Sequence, residues 1–282
     1  MMKCIVCKKE DIFQYFCKDD LRIVKCRNCA LQFQDPQPTD EELMRIYEGY
    51  FQGWDGEKDT TVKQAKKLRF GKRVQEIKKF ASGGKILDVG CAAGHFLEEA
   101  KKAGFDPYGI ELSPSSCKAA RKVFGDHIFE GSIENNNFED SFFDIITMFD
   151  LFEHVRDPLA TMHYCNKLLK HDGLLVATLP DTSSLSARLM RKRWFQYKKE
   201  HLYYFNKQNL INLLNQESFE VLEIVNAVKV FNLKYAYYYL HFYSNKFLKP
   251  LWSTAIALCP KALLQRPIYM NSGELLVIAK KI

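Results

Sequence analysis

One stretch of 28 residues, Lys85 to Leu112, limits the folds open to this chain more than any other. It begins with an apolar run, Lys85-Ile-Leu-Asp-Val89, turns on Gly90-Cys-Ala-Ala-Gly94, continues in a helical pattern and ends in a second run that closes on Glu111. Phe96, Leu97, Ala100 and Ala103 fall on one helical face, and Gly104 supplies the stop. Two apolar runs joined through a helix pair in parallel, because the helix carries the chain back to the end where the first run began. Gly90 and Gly94 let the backbone turn tightly and approach a ligand closely. Glu111, 23 residues after Asp88, then stands where a carboxylate can accept hydrogen bonds from both hydroxyls of a ribose. The expectation is an α/β, doubly wound sheet with a nucleoside site at the carboxyl ends of its strands.

The glycines are spaced Gly-x-x-x-Gly, so the Gly-x-Gly-x-x-Gly fingerprint of a dinucleotide site is absent. The run Ile86-Leu-Asp-Val-Gly-Cys-Ala-Ala-Gly94 resembles the first motif of class I S-adenosylmethionine-dependent methyltransferases. That resemblance implies a Rossmann-like sheet of seven strands. It implies that Asp88, Gly90 and Gly94 hold the methionine half of the cofactor and Glu111 its ribose, with Cys91, Ala92, Phe96, Leu112 and Asp150 as further cofactor contacts. Ser132 and Ile133 fall where the family meets the adenine ring, Asp150 ends the fourth strand, and Arg69 is the candidate for the methionine carboxylate. The commonest form of the motif has glycine where this chain has Ala92, and the added methyl is tolerated if φ there is negative.

Nine cysteines, an odd number unevenly placed, argue against a disulfide framework. Four of them form Cys4-x-x-Cys7 and Cys26-x-x-Cys29, separated by 18 residues. A two-residue spacer lets both thiolates of a pair take two corners of a tetrahedron, so the two pairs predict a closed, structural zinc ribbon. Cys17, midway between them, reads as a bystander. A segment of this size with few large apolar groups needs such a staple. Nothing near the start resembles a secretory leader and no stretch has the roughly 18 apolar residues of a membrane span, so the expected location is cytoplasmic.

The rest of the chain organises around these two features. Residues 1–34 form the expected ribbon, Asp35-Pro-Gln-Pro-Thr39 the break after it, and 35–84 a linker with two helices, one through Glu41 to Tyr47 and a basic one over Val62 to Ala81. The catalytic domain is expected over 85–282, with strands near 85, 106, 128, 142, 174, 219 and 274 and an insertion at 229–271 before the last. Ser113-Pro114 and Asp157-Pro158 each place a cap before a proline at the first helical position.

Three features bear on chemistry. Asp150-Leu-Phe-Glu153-His154 follows the fourth strand, and His154 is the candidate base because imidazole titrates near neutral pH. The stretch also resembles O-methyltransferases of the ubiquinone type, where a Glu-His pair lies at the substrate face, sometimes with a divalent cation; a role as base and a role as cap of the next turn stay open for Glu153 and His154. In Lys199-Glu-His201-Leu-Tyr-Tyr-Phe205, His201, Tyr203 and Tyr204 are candidates to line an acceptor pocket. Arg188, Arg191, Lys192, Arg193, Lys198 and Lys199, interleaved with Trp194, Phe195 and Tyr197 in a chain of formal charge +7, point to a phosphate-bearing acceptor. Residues 231–264, rich in Tyr, Phe and Lys, read as a lid, a dimer contact or a peripheral membrane contact.

The reading is therefore a methyltransferase acting on a small-molecule or phosphorylated glycan- or lipid-precursor acceptor, with O-transfer favoured. Two alternatives stand beside it: a ribosomal RNA methyltransferase with a zinc module, and a non-catalytic cofactor-binding protein. The absence of an Asn-Pro-Pro-Tyr-type tetrapeptide after the fourth strand weighs against methylation of a flipped base.

Overall fold

The computed structural model describes residues 2–18, 20–53, 60–243 and 249–282. Three strands open the chain: β1 (Ile12–Lys18), β2 (Leu21–Cys26) and β3 (Gln32–Gln34). Helices α1 (Asp40–Gly53) and α2 (Thr60–Ile77) lead to β4 (Gly84–Val89), α3 (His95–Lys102), β5 (Phe105–Glu111), α4 (Pro114–Phe124) and β6 (Ile128–Glu130). Then come β7 (Phe143–Phe149), α5 (Pro158–Leu168), β8 (Leu169–Pro180), α6 (Leu185–Met190), β9 (Tyr203–Tyr204) and α7 (Lys207–Gln216). The chain closes with β10 (Phe219–Phe231), α8 (Leu233–Tyr243), α9 (Lys249–Leu258), α10 (Lys261–Gln265) and β11 (Ile268–Lys281).

Seven strands form the main sheet in the order β10-β11-β8-β7-β4-β5-β6. β11 runs antiparallel to both neighbours, and the other pairings are parallel. The chain builds outward from β4 to β5 and β6, then returns to the other side of β4 with β7. That reversal opens a crevice at the carboxyl ends of β4 and β7, where doubly wound sheets bind ligands.

Alternate residues of the central strands feed two apolar layers. Leu87, Val89, Ile146 and Met148 face one way, toward α5 and α7; Ile86 and Ile145 face the other, toward Val74, Phe96, Leu97 and Ala120 of α2, α3 and α4. Each such side chain contributes about 1.5–3 kcal/mol. The caps are those the sequence names: Ser113 accepts from Ser116 N–H, and Asp157 accepts from Leu159 and Ala160 N–H at 3.1 and 3.0 Å.

Two differences from the sequence reading matter for the site. The ribbon sheet has four strands, β1-β2-β3-β9, because Tyr203 and Tyr204 pair with Phe33 and Gln32. Tyr203 and Tyr204 are therefore buried in the ribbon sheet, not the lining of an acceptor pocket. Trp194 is buried too, beside Phe16, Leu21, Ile23 and Tyr204, with its indole N–H donated to Ser186 Oγ at 3.1 Å. It does not alternate with the basic side chains on the surface. The second difference lies at 229–271, where the long strands β10 and β11 remain paired as far as Phe231 and Ile268, so that among the described residues α8, α9 and α10 stand between them. Residues 244–248 of the expected lid segment, Phe247 included, lie outside the described residues.

Candidate active site

The turn after β4 is held open by unusual backbone angles: φ is +76° at Gly90, +47° at Ala92 and +83° at Gly94. Ala92 thus adopts a left-handed conformation, against the expectation of a negative φ, at an expense of about 1–2 kcal/mol. Its N–H donates to Glu111 Oε2 at 2.9 Å, while Ser113 N–H donates to Glu111 Oε1 at 2.8 Å. Glu111 is thereby fixed at the end of β5, and each oxygen keeps a lone pair for a ribose hydroxyl. Leu112 beside it is exposed at the strand edge. The open sides of the two glycines face protein: a Cβ on Gly90 would touch Leu151 at 3.1 Å and one on Gly94 would press the Phe124 ring at 2.9 Å. Their missing side chains let the turn pack down, and the ligand-facing surface is its backbone.

Asp88 is buried and accepts from Thr147 Oγ1–H across the β4–β7 pair at 2.6 Å. Burial pushes its carboxyl up to about 7, against the Thr147 bond and helped by Glu111. Cys91 and Phe96 are buried in one apolar layer and Ile133 in the other. Ser132 closes a capping box with Asn135, which orients the loop after β6.

Asp150 leaves β7 with φ of +53° and is anchored by Thr178, whose hydroxyl donates to Asp150 Oδ1 at 2.9 Å. Burial favours the neutral carboxyl, but Lys229, Arg69, Thr178 and Arg73 together bring it down to about 2. Arg69 Nη1 lies 3.5 Å from Asp150 Oδ2. Arg73, one turn further along α2, is buried and donates to Val228 O at 3.0 Å. Lys229 of β10 pairs with Glu274 of β11. Arg69, Arg73, Asp150 and Glu274 line a cavity of about 10 Å³. Three cations against two carboxylates leave one positive charge at this corner.

A second cluster lies beside it. Glu153 and His154 sit on a single helical turn, Phe152–His154, and His201 precedes β9. A carboxylate oxygen of Glu153 and ring nitrogens of both histidines lie within 4.8 Å of one another. His154 Nδ1 is 3.0 Å from the Glu200 carbonyl, which can only accept, so the proton is on Nδ1 and the lone pair on Nε2. His154 does not cap the following turn; Asp157 does. Of the three side chains His154 reaches outward, with 17% exposed against 3% for Glu153. Burial pulls the His154 ring down to about 4 and the His201 ring well below the usual range, and it raises Glu153 well above the carboxylate range. Burial thus favours the neutral form of all three side chains. Glu153 Oε2 and His201 Nδ1 are buried with no hydrogen-bond partner among the described residues.

The ribbon cysteines converge as the spacing predicts. Cys4, Cys7, Cys26 and Cys29 place their sulfurs within 4.8 Å of one another, with Cys4 to Cys29 at 3.4 Å and Cys7 to Cys26 at 3.5 Å. Those separations are too long for a disulfide and compatible with a zinc ribbon. A hydrogen bond from Cys29 and the backbone around Val6 and Cys7 lower the Cys4 thiol to about 5. Cys17 is exposed and apart.

Arg73, Lys229 and Glu274 escaped the sequence reading. Arg73 lies four residues after Arg69 on the same helix face, a signal that was available. The others meet only through the β10–β11 pairing.

A reversal-point crevice, a backbone-lined turn and an acid at the end of the second strand define a Rossmann-like, nucleoside-binding transferase. The family described as a methyltransferase domain matches residues 62–224, more than half of the chain, and the chain belongs to it: it is a class I S-adenosylmethionine-dependent methyltransferase. Among curated relatives, the ubiquinone biosynthesis O-methyltransferase of Pasteurella multocida (strain Pm70) is 33% identical over 138 residues, covering 43% of this chain and 57% of that protein. Its counterpart from Actinobacillus pleuropneumoniae serotype 5b (strain L20) is 34% identical over 103 residues, covering 33% and 44%. The chain spans about half the length of the curated relatives it matches. A methyltransferase structure from Archaeoglobus fulgidus superposes with a TM-score of 0.52 at 17% identity, over 84% of this chain and 99% of that one. One from Thermotoga maritima gives 0.52 at 19%, over 86% and 98%. Both support the fold.

Proposed function

We propose that the enzyme methylates a hydroxyl of a small, anionic acceptor of the glycan- or lipid-precursor class, in the cytoplasm. The observation that carries this reading is the Glu153–His154–His201 cluster at the carboxyl edge of the sheet, with His154 outermost and its tautomer fixed by the Glu200 carbonyl. The names of the curated relatives support oxygen as the atom methylated.

S-adenosylmethionine, when bound, supplies an electrophilic methyl on a sulfonium. The residues fit it: Glu111 offers two lone pairs to a ribose, Leu112 an apolar edge to adenine, and the corner of Arg69 and Arg73 a surplus positive charge for the methionine carboxylate. Asp88 and the Gly90–Gly94 backbone form the wall between them. His154 Nε2 is placed to take the acceptor's hydroxyl proton as the oxygen would gain the methyl group and the carbon–sulfur bond would break to release a neutral thioether, so that no oxonium cation builds up. The chemistry needs alignment above all, and the rigid segments around residues 153 and 201 provide it. The four ribbon cysteines hold one structural zinc ion, with no open position for catalysis.

Incubation with methyl-labelled cofactor and fractionated cell extract tests the reading. Label is expected in small or lipid-linked metabolites and not in RNA. His154→Ala is expected to lower that incorporation by roughly 10²–10⁴-fold with cofactor affinity nearly unchanged. Label entering RNA, or full activity in the variant, overturns it.

A further inference from the structure

Acidic residues are missing from three stretches: 60–75, 182–199 and 224–273 contain no Asp or Glu and hold 18 of the chain's 41 Lys and Arg. The remainder of the chain therefore carries 23 basic residues against all 34 acidic ones. The three stretches meet at one place. Asp181 N–H donates to Gly273 O at 2.9 Å at the root of α6, and a Cβ on Gly273 would collide with Ser184 Oγ at 2.7 Å, so α6 lies directly on the start of β11. From the other side, Lys72 of α2 sits over the Tyr269 ring of β11 at 6.0 Å. β11 is antiparallel in the sheet and pairs Glu274 with Pro180, the last residue of β8, so residues before 274 project past the carboxyl edge where the active site opens.

This acid-free territory is also greasy at its tips. Leu185 and Leu189 of α6 are 71% and 73% exposed, and Met190, Tyr269 and Met270 are exposed around them. Arg188, Arg191, Lys192 and Arg193 are exposed on the same short stretch. Largely exposed leucines beside arginines are an unfavourable way to meet water and a favourable way to meet an interface whose surface is anionic and whose interior is apolar. A nucleic acid would reward the cations but gain nothing from aliphatic tips, since it is bound through phosphates and stacked bases.

We infer that this face docks on an anionic phospholipid bilayer, with α6 and the start of β11 entering the headgroup layer and the active-site mouth turned toward the membrane. The inference concerns where the enzyme sits and goes beyond the reaction proposed above. Among the described residues no helix is long and apolar enough to cross a membrane, so the contact is peripheral.

Flotation of the full chain with vesicles of phosphatidylcholine, with and without phosphatidylglycerol, tests it. Binding is expected to the mixed vesicles only. Replacing Arg191, Lys192 and Arg193 by serine is expected to weaken partitioning roughly 100-fold, since each cation at such a surface is worth about 1 kcal/mol. Leu185→Asp/Leu189→Asp is expected to weaken it at least about tenfold, through lost apolar insertion and added repulsion. Calorimetry with S-adenosylhomocysteine shows whether each variant is folded. Absence of binding to the mixed vesicles overturns the inference, as does a leucine variant that is folded and floats like the wild type. Tight binding of a single-stranded oligonucleotide that survives in the leucine variant and is lost in the serine variant assigns the face to nucleic acid, and equally overturns it.

Discussion

Glu111 is already committed to two backbone N–H groups, those of Ala92 and Ser113, before any ligand is considered. Glu111→Gln therefore turns one acceptor into an NH₂ group facing an N–H donor, and also removes the charge that a ribose diol would meet. S-adenosylhomocysteine affinity is expected to fall by about 1.5–3 kcal/mol, read by calorimetry; unchanged affinity would put the ribose elsewhere. At His154 the consequence is a pH profile. A ring pulled down to about 4 is unprotonated across the neutral range, so kcat/KM is expected to hold steady from neutral pH down to roughly pH 5 and to fall only below it. An acid limb centred near 6.5 would mean the base is another group. The same shift acts on stability: the unfolded ring gains a proton near 6.5 and the folded one near 4, so this contribution is lost as pH falls through that window. Residues of the cofactor motif were legible because strand, turn and acid lie within 28 consecutive positions. Lys229 and Glu274 were not, because a salt bridge between strands 45 residues apart leaves no periodic trace.

The element that sequence could not show is β9. Two residues have no alternation to detect, and Tyr203-Tyr204 reads equally well as a pocket wall. Its pairing with β3 joins the ribbon to the segment that carries His201. Gln34, buried at the end of β3, gives its side-chain N–H groups to the carbonyls of Lys198, Lys199 and His201 at 3.1, 2.8 and 2.9 Å. The same segment offers the Glu200 carbonyl to His154 and receives the Glu153 carbonyl at Leu202 N–H. Gln34→Ala removes the clamp and takes the Gln34 donor from the buried His201 carbonyl, while the Lys198 carbonyl keeps the Tyr204 hydroxyl. Turnover is expected to fall by about tenfold or more while S-adenosylhomocysteine affinity stays within roughly twofold, because the loosened segment carries the catalytic cluster and not the cofactor turn. Equal losses in both would mean that Gln34 merely supports the fold. The central strands β4, β7 and β8 were readable for the opposite reason: buried on both faces, they carry nearly continuous apolar stretches around Ile86-Leu87, Ile145-Ile146 and Leu174-Leu175-Val176.

At the scale of the whole molecule the question is whether the ribbon opens by itself, as a separately stapled module would. Its apolar residues Val6, Leu31 and Phe33 belong to the same cluster as Leu87, Met148 and Leu213 of the catalytic core. Asn209 and Gln216 of α7 donate to the carbonyls of Cys29 and Val6. Opening the ribbon alone would uncover the core face beneath it and break β9 from β3, so the low-energy route exposes everything together. Cys4 and Cys26 in the ribbon and Cys165 in α5 are all buried, which makes them reporters of the two regions. With a chelator present and a thiol reagent slower than refolding, the three cysteines are expected to be modified at one common rate. S-adenosylhomocysteine at 100 times its Kd stabilises the folded state by about 2.7 kcal/mol and should slow all three by roughly 100-fold, including the two that lie far from the cofactor. If Cys4 and Cys26 react ahead of Cys165 and ignore the ligand, the ribbon is an independent module after all.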